Sequence, residues 1–487
     1  MNKSATPKKT RGKGAGQKIL FAVSEVAPFV ATGGMGQVVG TLPLALKRVS
    51  EKTEVRVISP LYRKVRRQFG SGMEFLGDVW VHLSWRSQYC GVFKLERDGV
   101  IYYFIDNERY FDRDEVYGSY DDGERFAFFS KAVPAVLELI DYVPDIIHAH
   151  DWQTALVPVY ISTTYAERYP DIRTVFTIHN IEYQGKFPMA ILGDVFDLQG
   201  YDMGLVEYNG CINLMKGAIV CCDRLTTVSP SYAQEITSGG GYGLDSIIAD
   251  NIGKLSGIIN GIDTEFYDPA SDPALAQKYD VDSVEKKAAN KKALQKLFGL
   301  PVNTHKPVLC VVSRLVSHKG IDLLLPIMEE LVSDDVQFLL LGTGDDRFQL
   351  FFTELGMKHP DKIGINIAFN PEVSNKIYAG SDIMLMPSLS EPCGLSQMIA
   401  CRYGTVPIVR AVGGIKDTIR DCRLGEGNGF VFRNYESGEL LDTIRKALHM
   451  FTHHPDQWEE LMKEGMRTDF SWDLSAKAYI DMYSSLR

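Results

Sequence analysis

The chain has 487 residues, 45% of them apolar and 23% charged, with a net charge of -10. That length exceeds one hydrophobic core and predicts two or three domains, and the acidic balance argues against general nucleic-acid binding. The eight cysteines show no metal-ligand spacing, only Cys221 and Cys222 being adjacent, which fits unpaired thiols in a reducing cytoplasm.

Residues 1–17 carry Lys3, Lys8, Lys9, Arg11 and Lys13 and no acid. With no apolar run they read as a disordered basic tail, not as a signal peptide or membrane span. A transit-type leader is the alternative, but serines are few. Residues 18–25 form the first strong element, a continuous apolar run expected of a buried strand. Gly33-Gly34-Met35-Gly36 then opens an amphipathic helix. Strand, glycine-rich turn and helix together let the backbone approach a phosphate or a sugar closely. The spacing Gly34-x-Gly36-x-x-x-Gly40 only approaches the dinucleotide fingerprint, and the strand at 54–60 ends without an acid for a ribose. Both points argue against a nicotinamide enzyme.

Residues 79–106 alternate short strand runs. A loop with Tyr110-Phe111 and Tyr117-Gly118 follows, then a helix over 124–139. Those aromatics suit sugar faces or simply pack on the surface. Next, His148-Ala149-His150-Asp151-Trp152 closes a strand. Two histidines on one strand face invite a metal, yet no third ligand lies nearby in sequence. Lining a cleft or capping the next helix are the other readings. The strand at 174–178 delivers His179-Asn180 at a second C-terminal edge. The strand at 224–228 ends in Ser229-Pro230-Ser231, and 255–259 ends in Asn260-Gly261-Ile262-Asp263.

Composition shifts over 264–305, with Pro269, Pro273 and a charged helical run at 285–297. This stretch reads as a connector into a second domain. Strands at 308–312, 338–341, 365–369, 383–386 and 406–409 then alternate with helical stretches, the pattern of a doubly wound parallel sheet. Arg314 and Lys319 stand five apart across a turn into a helix. They can meet a diphosphate with two charges, or simply start a solvated helix. Glu391 follows the strand at 383–386, and Gly394 opens a helix over 397–402, a strand edge suited to an anion. Phe470-Ser471-Trp472 begins a final amphipathic helix.

Taken together, the Gly33-Gly34 loop, His148-Ala149-His150-Asp151-Trp152, Thr177-Ile178-His179-Asn180, Asn260-Gly261-Ile262-Asp263, Ser313-Arg314-Leu315 with Lys319-Gly320, and Glu391-Pro392-Cys393-Gly394-Leu395 resemble the bacterial glycogen synthase and starch synthase family. These are retaining glucosyltransferases of the GT-B fold. The resemblance runs from Lys18 to the final helix. It implies an α/β protein of two Rossmann-like, doubly wound domains facing each other across a deep cleft. Residues 18–262 would form the glucan domain, with 470–487 packing back on it, and 263–469 the nucleotide-sugar domain. The implied reaction moves glucose from ADP-glucose or UDP-glucose to the non-reducing end of an α-1,4-glucan. It takes place in the cytoplasm without metal or other cofactor, and without a nucleic-acid or membrane partner.

By position in the family's motifs, Arg314 and Lys319 would neutralise the diphosphate, and Glu391 would hold donor-glucose hydroxyls. His179 and Asn260 would contact the glucose, and Asp151 would line its acceptor side. Gly33 and Gly34 would lie near the donor, and main-chain groups of Cys393, Gly394, Leu395 and Ser396 would bind sugar and phosphate. Phe369 stands where the family usually stacks a tyrosine on the base. The chain departs from the family in its donor loops: Ala31 replaces a lysine, Met35 a leucine and Gln37 an aspartate, and His318 replaces a glutamine. Leu389 and Ser390 stand where arginine and phenylalanine are common. Ala31 motivates one alternative, a non-catalytic glucan-binding regulatory paralogue.

Overall fold

The computed structural model describes residues 16–486 apart from Phe369. The expectation of a disordered tail falls almost wholly outside these residues, and the stacking role of Phe369 does so entirely. The chain divides into two units. One runs to Thr226 and takes in Gly241–Leu255 and the chain from Ala476; the other comprises Thr227–Gly240 and Ser256–Ser475. This division differs from the expected boundary after residue 262. Ile258 donates its N–H to Thr227 O at 2.9 Å and Ile262 donates to Phe470 O at 2.8 Å, so the stretch carrying Asn260 is fastened within the second unit. The closing helix Trp472–Ser484 joins the first unit only from Ala476, not from residue 470.

The first unit is built on strands β1 (Lys18–Ala22), β2 (Glu54–Pro60), β3 (Glu74–Leu83), β4 (Arg86–Arg97), β5 (Val100–Asp106), β6 (Ile146–His150) and β7 (Arg173–Ile178). A small antiparallel sheet of β8 (Lys186–Pro188), β9 (Glu207–Tyr208) and β10 (Cys211–Asn213) was not expected from the sequence. With β11 (Arg224–Thr227) and β12 (Leu255–Gly257), the large sheet has the order β12-β11-β7-β6-β1-β2-β5-β4-β3. The pairs β1/β2, β1/β6, β2/β5 and β6/β7 are parallel. The outer hairpin is antiparallel.

Sequence patterning explains this difference. Central strands such as β1 and β6 are apolar or buried along almost their whole length, as a sheet covered on both faces requires. The second half of β3 alternates exposed and buried residues, as suits one solvated face.

The second unit carries β13 (Val308–Val312), β14 (Gln337–Leu341), β15 (Ile363–Asn366), β16 (Ile383–Met386), β17 (Val406–Arg410) and β18 (Phe430–Phe432). All are parallel, in the order β15-β14-β13-β16-β17-β18. β15 ends at Asn366, earlier than the expected strand at 365–369. Asn370 caps the next helix, Pro371–Gly380, by accepting from Val373 N, so the chain has left the sheet by then. The charged run at 285–297 is not a loose connector. Its helix, Lys287–Leu297, buries Lys287, whose Nζ lies 2.8 to 3.0 Å from four oxygens, Tyr378 O, Ala379 O, Tyr403 O and Thr405 Oγ1, which share its N–H groups. Lys291 Nζ pairs with Asp382 at 2.6 Å.

Candidate functional site

In the second unit the chain leaves β13 and β16, which are neighbours, towards opposite sides of the sheet. Their loops part there and leave a crevice at the C-terminal strand ends. The loop after β13 carries Arg314 and the short turn Ser317–Lys319; the loop after β16 carries Ser388 to Gly394. Gly320 has φ +72°, and a side chain there would overlap the Pro387 carbonyl, so only glycine lets the two loops meet. His318 O also accepts from Leu389 N at 2.9 Å and Ser390 N at 3.3 Å. Drawn together in this way, Lys319 Nζ donates to Glu391 Oε2 at 2.6 Å, and Ser388 Oγ donates to the same oxygen at 3.1 Å.

Glu391 is only 6% exposed, so these partners offset its desolvation. Arg314 is exposed and does not join that pair; its Nη2 lies 3.5 Å from His318 Nε2. Gly394, at φ +75°, turns the chain into the helix Ser396–Arg402. Gln397 Nε2 holds the turn through Cys393 O at 3.2 Å and Gly394 O at 3.0 Å. Gly394, Leu395 and Ser396 are half-buried. Cys393 is buried, and burial pushes its thiol up to about 12, so the thiol is neutral near pH 7. Asn260 donates its main-chain N–H to the Cys393 sulfur. Its own Oδ1 is buried without a partner among the described residues.

The first unit repeats the arrangement with other chemistry. β1 and β6 are the neighbours from which the chain departs oppositely. Glu25, just past β1, is 2% exposed. One carboxylate oxygen accepts from Thr32 N at 2.6 Å and Thr32 Oγ1 at 2.7 Å, the other from Gly36 N at 3.1 Å. The glycine loop with exposed Gly33 and Gly34 is thus clamped at both ends. Burial raises the Glu25 carboxyl above its usual range, and those donors oppose the rise.

Asp151, past β6, adopts φ +55° and accepts on Oδ1 from His179 N at 2.7 Å and Asn180 N at 3.4 Å. Its carboxyl is pushed up to about 7 by burial, against those N–H groups. Burial also drives His179 down to about 3, and His148 and His150 well below the usual histidine range. All three imidazoles are therefore neutral near pH 7.

The two histidines of β6 are fully buried. His148 bonds Tyr483 OH through Nδ1 at 2.7 Å and Thr177 Oγ1 through Nε2 at 2.6 Å, tying the closing helix to the sheet. His150 Nδ1 lies 3.0 Å from His179 Nε2. Among the described residues no group of three or more His, Cys, Asp or Glu is placed to hold a metal ion.

Two family models match: the starch synthase catalytic domain over residues 18–250 and glycosyl transferases group 1 over residues 295–463. The glycogen synthase of Geobacillus stearothermophilus is 47% identical over 96% of this chain and 98% of its own length. That of Streptococcus sanguinis is 46% identical over 96% of this chain and 100% of its own. The chain belongs to the glycogen synthase and starch synthase family. It is a glycosyltransferase of the GT-B fold. The catalytic domain of starch synthase IV from Arabidopsis thaliana, bound to ADP and acarbose, superposes with a TM-score of 0.89 at 31% identity, covering 97% of this chain and 99% of that one. Sucrose-phosphate synthase from Thermosynechococcus elongatus, at 16% identity and a TM-score of 0.62, shares the fold.

Among the synthase motifs, the structure brings Lys319 to Glu391 and Asp151 to His179, and leaves Arg314 on His318. Sequence reasoning passed over Glu25, although a carboxylate just beyond a strand's C-terminal end was the signal that singled out Glu391. It also passed over His150 as a partner of His179. At the lysine-to-alanine departure, Ala31 is exposed, and its Cβ lies so close to Gly36 that a side chain on Gly36 would come within 2.7 Å of it.

Proposed function

We propose that this synthase transfers glucose from ADP-glucose, or from UDP-glucose, to the non-reducing end of an α-1,4-glucan with retention of configuration. The observation that carries the reading is the Lys319–Glu391 pair in the crevice between β13 and β16, with the exposed Arg314 on the same loop. Lys319 and Arg314 neutralise the departing diphosphate. Glu391 holds donor-glucose hydroxyls and faces the positive charge that develops on the ring. Main-chain groups from Cys393 to Ser396 bind sugar and phosphate, helped by Asn260. Asp151 and His179 hold the transferred glucose, and Gly33 and Gly34 border the donor. The leaving phosphate takes the acceptor's hydroxyl proton as the new glycosidic bond forms on the face it vacates.

ADP-glucose is the favoured donor, because the matching starch synthase IV structure holds ADP. Acarbose in that structure supports a glucan acceptor. The eight free cysteines favour a cytoplasmic setting. Full-length protein is incubated with glycogen and equal ADP-glucose and UDP-glucose, and each released nucleoside diphosphate is followed. Release of ADP in excess, with longer glucan chains, is expected. No turnover of either donor by folded protein overturns the proposal.

A further inference from the structure

His150 sits on β6 with its ring wholly buried. Its main chain is locked on both sides: its N–H donates to Thr154 Oγ1 at 2.6 Å, and Thr154 Oγ1 donates to its carbonyl at 2.8 Å. The ring stacks on His148 with centroids 4.1 Å apart and lies 5.2 Å from Phe21. Its Nδ1 meets His179 Nε2 at 3.0 Å. Its Nε2 is buried and has no partner among the described residues.

A neutral ring carries one proton. If that proton sat on His150 Nε2, a buried N–H would be orphaned, a much rarer and costlier state than a bare lone pair. The proton therefore belongs on His150 Nδ1, which then donates to His179 Nε2. An accepting Nε2 leaves the His179 proton on Nδ1. His179 is half-buried, its main chain is held by Asp151, and the ring contact that orients it is the one to His150 Nδ1.

We propose that His150 is a positioning residue: by donating from Nδ1 to His179 Nε2, it fixes His179 as the Nδ1–H tautomer, so that this ring offers a sugar hydroxyl a donor and not an acceptor. This rests on the assignment of His179 to the glucose. The hydroxyl that accepts from His179 is left with its own proton to give elsewhere, which sets the direction of the hydrogen-bond chain around the sugar. The neutrality of both rings, imposed by burial, means that no second proton supplies the missing direction near pH 7.

The test uses full-length protein labelled with ring-15N histidine and long-range 1H–15N spectra at neutral pH, with His179 signals assigned by their loss in His179→Gln. A protonated Nδ1 and a bare Nε2 are expected at His179; the reverse tautomer overturns the proposal without any further variant. His150→Phe keeps a ring beside Phe21 and His148 but removes the donor. Its His179 should drift towards the Nε2–H form, with kcat down about tenfold and the glucan KM nearly unchanged. His150→Asn places an amide N–H near the lost Nδ1 and should restore the tautomer and most of kcat. An unchanged His179 tautomer in His150→Phe also overturns the proposal. A chain that turns over no donor would sink the assignment of the reaction, while the spectra would still decide the tautomer.

Discussion

The two units place their candidate residues at the same topological address, the parting of the chain between two neighbouring parallel strands, yet they equip it oppositely. The crevice between β13 and β16 carries formal charge: Lys319 on Glu391, with Arg314 exposed beside it. The edge formed by β1 and β6 carries no positive charge on its histidines and disfavours charge on its acids. Its histidines are driven neutral, and burial lifts the carboxyls of Glu25 and Asp151. A doubly wound sheet supplies the place; how far each loop keeps its side chains hydrated decides what can be bound there. Charge suits a diphosphate, and directional neutral hydrogen bonds suit a sugar.

The contrast breaks most readily at Lys319. Lys319→Ala should lower kcat by roughly 100- to 1000-fold, and Lys319→Arg should keep more of it. A loss under about tenfold would mean that the charged edge is not where the rate is made. At the neutral edge the expected effect is a pH slope. The Asp151 carboxyl titrates at about 7 in the native chain and near 4 when unfolded, so the native state holds more protons across that window. Its contribution to stability is complete at low pH and is lost as pH rises through about 7. Denaturant midpoints should fall more steeply between about pH 5 and about pH 8 in the parent than in Asp151→Asn; equal slopes would return Asp151 to the class of solvated carboxylates. His179 contributes a slope of opposite sign at lower pH, and comparing the two proteins cancels it. The smallest effect is expected at Ala31→Lys. An exposed lysine there should lower the donor KM by about two- to fivefold, and no change in KM would mean that the exposed loop is silent towards the anion.

Most of the architecture was legible because buried parallel strands announce themselves as unbroken apolar runs; β1, β13 and β16 needed nothing else. Short or polar strands did not. β18 has three residues, and β15 is shifted because Asn370 takes the chain into a cap. The charged run at 285–297 was legible as a helix leading into the second domain, but its buried lysine was not. Nothing local reveals that Lys287 will find four oxygens from segments 91 to 118 residues further on. At the candidate site, Glu391, Asp151 and His179 were legible as polar side chains at strand ends, and Lys319 as a charge across a turn into a helix. The clamp of Glu25 on its loop and the link from His150 to His179 were not, because each depends on distances that only the folded backbone sets.

The oxygens around Lys287 bear on how that part of the second unit comes apart. Its nitrogen, whose basicity burial lowers to about 7, gathers the end of the helix Pro371–Gly380 and the turn from Tyr403 to Thr405, and the residue is 4% exposed. While these contacts persist, an amine-reactive reagent in solution cannot reach the nitrogen. Each acylation of Lys287 therefore records one local opening, and its rate serves as a clock for the breathing of the helix that leads into the second sheet.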